Sequence, residues 1–286
     1  LNAKGETIHT VVGGQQANGL IGHARTAMSK VDDLDAYKEK YAAGDRDADF
    51  VFNYVRALVR QGEPHLKVAN DQLREQKDKL NEPGNLRLML LSATDADSRI
   101  FDMLVKHRSD VEKLVSKEAF QEQVDLAFEN TKAKAIKFDD AKLLATTAKK
   151  YKAIDAEKAN TFMLDGQFGL AAAGSDAKAY LKAAKNYYKK AGAGDQVLLG
   201  KLFSEMSTSS FKGDAKVQDL AAMIGQEAAS MSEDYQNYYR LARWMNSVGK
   251  KAEAMAAAEK AKSMVPAGKK NIHVMLDHLI EQIQTK

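Results

Sequence analysis

Residues 238–266, YYRLARWMNSVGKKAEAMAAAEKAKSMVP, decide the fold. Tyr238, Leu241, Ala242 and Met245 recur at three- and four-residue steps, or fall beside such a step, and so share one helix face. Gly249 then permits a tight turn. Ala254, Ala258 and Ala261 form a second stripe, and Pro266 ends it because proline cannot continue a helix. Ala242 and Ala254 are small enough to let two helices approach closely, so the stretch predicts an antiparallel helical hairpin.

Two looser copies lie upstream. Met163, Gly166, Gln167 and Leu170, followed by Gly174, Ala179 and Ala183, keep the same offsets. Leu199, Leu202, Phe203 and Met206, followed by Ala221 and Ala228, form a middle copy. The starts are 36 and 39 residues apart, so the middle unit needs a longer loop around Ser207 to Gly213. Beyond Pro266, Ile272, Leu276, Leu279, Ile280 and Ile283 share the face of a closing helix over about residues 270–284. This pattern resembles the tetratricopeptide repeat, with Met245 and Ala258 standing where that family usually has aromatics. The resemblance implies a right-handed superhelix of antiparallel helix pairs over residues 155–286, in which the first helix of each pair lines a concave groove.

The preceding stretch, residues 32–154, also reads as helical hairpins. Phe50, Tyr54 and Leu58 recur every four residues, and Gly62-Glu63-Pro64 breaks the run. A helix opened by Pro64 would carry Leu66, Ala69 and Leu73. Ser98 is the expected N-cap of a helix carrying Ile100, Phe101, Leu104 and Val105, and Ser116 opens the next. The fold class expected for the chain is therefore all-α.

Strand character is confined to residues 1–31. Lys4-Gly5 reads as a turn, the β-branched run Thr7 to Val12 (interrupted by His9) as a strand, and Gly13-Gly14 as its stop, with a helix following to about Met28. The run from Ala3 to Gly13 with that helix resembles the last hairpin and terminal helix of a thioredoxin fold. A thioredoxin-fold ending joined to helices resembles bacterial thioredoxin-like proteins with a helical C-terminal extension. The family's cysteine pair is absent, so the resemblance implies no redox chemistry by this chain. The strand edge from Thr7 to Val12 offers a route to self-association. The chain begins at Leu1, which suggests a processed product or an excerpt; its lack of cysteine suits cytoplasm or periplasm, with a periplasmic or secreted location slightly favoured.

Composition removes several function classes. The 286 residues carry 43 Lys plus Arg against 39 Asp plus Glu, a net charge of +4, too balanced to point to nucleic acid as the partner. No cysteine is present, which excludes disulfides, thiolate catalysis and cysteine-ligated zinc. No apolar run is long enough for a membrane span. His273 and Asp277 share a helical face with His278 beside them, but a metal site needs a third ligand, so surface histidines are the preferred reading. Asp95-Ala96-Asp97-Ser98 reads as a helix cap before it reads as a metal-binding DxD. Lys178, Lys182, Lys185 and Lys189 read as a solvated face opposite a core stripe, with a basic contact surface as the alternative. No catalytic constellation emerges, and no cofactor or metal is expected.

The best hairpin leaves one face of its first helix free: Gln236, Tyr239, Arg243 and Asn246. Tyr and Arg are frequent interface anchors, and Arg243 and Asn246 would donate to a peptide or carboxylate-bearing tail. The function expected is therefore a non-catalytic scaffold that binds a protein or peptide. The alternative is the substrate-positioning part of a thiol-disulfide oxidoreductase whose active site lies outside this chain.

Overall fold

The computed structural model of the protein describes residues 9–14, 16–29 and 34–285. Among the described residues there are sixteen α-helices, one π-helical turn and no strand. The chain divides into two compact units, one ending at Thr131 and one beginning at Lys132. The first holds α1 (Ala17–Ser29), α2 (Leu34–Ala42), α3 (Ala48–Gln61), α4 (Leu66–Glu75), α5 (Pro83–Ser92), α6 (Arg99–Lys106) and α7 (Arg108–Leu114). Helix α8 (Lys117–Lys137) contains the boundary between the units. The second unit continues with α9 (Ala141–Ile154), α10 (Ala156–Ala173), α11 (Ala177–Tyr187), the π turn Tyr188–Gly192, α12 (Gln196–Thr208) and α13 (Ala215–Ser230). It ends with α14 (Tyr235–Ser247), α15 (Lys251–Met264) and α16 (Lys270–Thr285). None of these helices is long and apolar enough to cross a membrane.

The expected β-hairpin is only partly open to view. Its turn at Lys4-Gly5 and its strand as far as Ile8 lie outside the described residues. Thr10, Val11 and Val12 are described and are not in a strand. A strand exists only through a ladder to a neighbour, and no described residue supplies one. The following helix is present as α1, ending at Ser29.

Helix starts are set by short polar side chains that satisfy free backbone N–H groups. Ser98 accepts from the Phe101 amide, and Ser116 from that of Ala119. Aspartate does most of this work. Asp47, Asp140, Asp155, Asp176, Asp195, Asp214 and Asp234 cap α3, α9, α10, α11, α12, α13 and α14 through their carboxylates. Each cap is worth about 1 kcal/mol, with a further gain from placing negative charge at a helix N-terminus. Pro64 does not open a helix as expected, since α4 begins at Leu66 with His65 as its N-cap. Pro83 is in the first turn of α5, and Pro64 and Pro266 lie between helices.

Packing follows sequence order. The most extensive contacts join α14 to α15, α12 to α13, and α9 to α10, so sequential helices form the closest pairs. In the first unit Tyr37, Tyr41 and Tyr54 gather around Leu34 and Leu58. Phe101 and Phe128 meet edge to face at 5.2 Å. In the second unit Phe168, Tyr180, Tyr187, Leu202, Met206 and Ile224 belong to one core cluster. Leu241, Ala242, Met245, Ala254, Ala258 and Leu279 belong to the next. Ala242, Ala254 and Ala258 are fully buried, which explains the alanine content of α14 and α15: a larger side chain would overpack this interface at a cost of about 1–3 kcal/mol. Gly249 adopts φ 81°, the left-handed region that glycine enters without strain. Asp155, at the expected start of the repeats, caps α10 directly after α9.

Candidate recognition groove

Two features of the second unit invite a chemical reading. The first is a buried ionic cluster. Asp165 of α10 and Lys132 of α8 are 9% and 7% exposed and are ion-paired. The other Asp165 oxygen accepts from Lys201 of α12 at 2.7 Å. Lys132 also lies 5.5 Å from the Phe162 ring centroid. Burial alone would raise the Asp165 pKa, but the Lys132 charge and the hydrogen bonds from both lysines outweigh it and hold the carboxyl below its ordinary range. Burial and the neighbouring Asp165 carboxylate push the Tyr187 hydroxyl far up, so it stays protonated. Glu205 is raised by burial first; Lys201 counteracts this and Asp165 adds to it. Both Asp165 oxygens are engaged by lysine ammonium groups. The cluster ties α8, α10 and α12 together.

The second feature is a groove. Helices α12, α13 and α14 enclose a cavity of about 310 Å³ lined by Gln196, Phe203, Ser204, Asn237, Arg240 and Trp244 among others. Gly225 of α13 also lines it, beneath Phe203; a Cβ there would sit 2.7 Å from the Phe203 ring. Phe203 meets Trp244 edge to face at 5.3 Å. The indole N–H of Trp244 is buried and has no hydrogen-bond partner. A second depression of about 320 Å³ lies against Arg240, Arg243, Trp244 and Ser247, so the two share Arg240 and Trp244. Asn237 is fixed by donating to Ser232 at 2.7 Å.

The four residues expected on this surface are all on α14 but do not act as one patch. Gln236 is exposed beside the Asp234 cap, which accepts from its backbone amide. Tyr239 is half-buried against the core formed with Ala261, Val265 and Leu276. Arg243 is exposed, lies 5.7 Å from the Tyr239 ring centroid and borders the second depression. Asn246 is half-buried, and its carbonyl accepts from Gly249 at the turn. The groove uses the adjoining stripe, Asn237, Arg240 and Trp244, one residue along and about 100° around the helix. The periodicity marks Phe203 of α12 only as a repeat position and does not single out Asn237, Arg240 or Trp244. The available signal was Trp244, the single tryptophan, at i+4 from Arg240.

The other sequence candidates are dispersed. His273 approaches the Pro266 carbonyl, Asp277 pairs with Lys262, and His278 contacts Gln282. Among the described residues no three His, Asp or Glu side chains are placed to hold a metal ion. Ser98, not an aspartate, supplies the cap at 95–98. Lys178, Lys182, Lys185 and Lys189 are all exposed, opposite buried Tyr180, Ala184 and Tyr187.

No protein-family model, no curated protein and no solved structure matches this chain.

Proposed function

We propose that the chain is a non-catalytic helical-repeat scaffold that binds a protein or peptide along α14. In this reading residues 155–286 wind as tetratricopeptide-like antiparallel pairs into a right-handed superhelix. Helices α12 and α14, the first members of adjacent pairs, line its concave side. The scaffold extends a thioredoxin-like protein. The observation that carries the reading is the groove: an aromatic wall of Phe203 and Trp244 beside Arg240, bordered by Arg243. Aromatic and arginine side chains in a concave, partly apolar setting are the groups that dominate binding energy at protein interfaces.

Selection of a random peptide library against the full chain tests the reading. Binders should emerge, and Arg240→Ala or Arg243→Ala should weaken them about fivefold or more, the effect of losing an interface anchor. An empty selection would reject the reading. Binders indifferent to both changes would remove these two residues from the contact surface.

A further inference from the structure

Resting on that reading and narrowing it, we infer that the groove takes an internal acidic segment of a partner chain, with a side-chain carboxylate on Arg240. Three observations carry this. The first is charge. Arg240 and Arg243 flank the two depressions, and among the described residues neither has a carboxylate partner. No acidic residue lines either depression. The acids nearby in sequence are occupied elsewhere: Glu205 faces Lys201, Asp219 pairs with Lys250, Glu227 accepts from Tyr188, and Asp234 caps α14. Glu233 lies before α14 and lines neither depression. A guanidinium presents a planar fork that matches a carboxylate, so an acidic group is the complementary ligand.

The second observation is the orphan donor. The Trp244 N–H is buried without an acceptor, a state that folded proteins rarely tolerate. Trp244 lines both depressions together with Arg240, so an acceptor on a bound segment is the partner this donor lacks. The third is extent. Arg240 and Trp244 line both depressions, of about 310 and 320 Å³. A segment with residues on both sides of a carboxylate held at Arg240 can use both depressions, which a chain end would not. Phe203 and Trp244 offer apolar surface to its neighbouring side chains.

The test uses the full chain and follows the fluorescence of Trp244, the only tryptophan present. The probe is a peptide of alternating Glu and Leu, acetylated and amidated so that it has no free ends. It should bind saturably and about tenfold more tightly than the same peptide with Gln for Glu, the step expected for a charge-assisted fork. Arg240→Ala should cost a similar factor, with Arg240→Lys between. Raising salt from about 50 to about 500 mM should weaken binding severalfold. Trp244→Phe, followed by anisotropy of labelled peptide, should weaken binding while Phe keeps the contact with Phe203. Equal binding of the Glu and Gln peptides would overturn the inference. So would binding only by a Gln peptide with a free terminal carboxylate, equal or tighter binding of single-stranded RNA, or indifference to Arg240→Ala. Library-selected peptides that occupy the groove without acid preference would remove this inference alone. A library yielding no binder removes the scaffold reading itself.

Discussion

Replacing Asp165 with alanine should destabilise the second unit by about 3–5 kcal/mol, the cost of leaving a buried cation without its partner. Lys132 is 7% exposed and cannot reach water as Lys201 can, whose side chain is 45% exposed. The urea midpoint of unfolding reads this directly. A second comparison separates charge from packing. Lys132→Met combined with Asp165→Leu replaces the pair by apolar groups, and it should recover most of the loss because neither desolvated charge remains. The pH dependence has a definite sign. The folded carboxyl lies below its ordinary value, so the stability it contributes is fully present above about pH 3.9, where the unfolded chain is also ionised. As pH falls from there through the folded value, the unfolded state takes up the proton first and stability is lost. Glu205 acts in the opposite sense. Its raised folded value favours the native state at low pH, and that contribution disappears as pH rises through the folded value. An Asp165→Ala midpoint within about 1 kcal/mol of the parent would show that the cluster does not hold α8, α10 and α12 together.

Gly84→Ala should be as damaging in the first unit, against the trend of helix propensity. Gly84 lies in the first turn of α5, and alanine in a helix is normally favoured over glycine by up to about 1 kcal/mol. Here a Cβ would lie 2.3 Å from the Ala48 carbonyl carbon, 2.4 Å from its oxygen and 2.6 Å from the Asp49 nitrogen. All three are backbone atoms of the α3 start, so no rotamer change relieves the clash. The two helices must separate, around a core where Val51, Leu88 and Met89 are fully buried. A loss of about 3 kcal/mol or more in unfolding free energy follows, at the upper end of ordinary overpacking. Gly166→Ala is the control. Its Cβ would meet Leu144 side-chain carbons at 2.4 and 2.8 Å, and a leucine end can move. Its cost should be visibly smaller. A stabilised Gly84→Ala, or equal effects at the two sites, would contradict the close approach of α3 and α5.

How much of this was legible in the sequence depends on what fixes helix phase. In α14 and α15 the alternation of large and small residues is unambiguous: Leu241, Ala242, Met245, Ala254, Ala258 and Ala261 are all buried. In α11 alanine occurs on nearly every face, so alanine spacing carries no phase. Ala179 is exposed and Ala183 half-buried, while Tyr180, Ala184 and Tyr187 form the core. The aromatics decide the phase there because each buries far more area than an alanine. The ionic cluster joins residues 33 and 36 positions apart and leaves no periodic trace. Its one sign was an aspartate inside the apolar run of α10. The α14 core positions leave two adjoining stripes outside, and periodicity alone does not choose between them. Only the presence of α12 distinguishes Arg240 and Trp244 from Gln236 and Asn246.

Recognition through the α12–α14 groove is most directly tested by the indole resonance of Trp244 in a ¹⁵N–¹H correlation spectrum. One tryptophan means one such signal, free of assignment ambiguity. Saturation with a library-selected peptide should shift it, together with the amides around Arg240 and Phe203. An indole signal that stays in place while amides elsewhere move would put the binding surface on another part of the molecule.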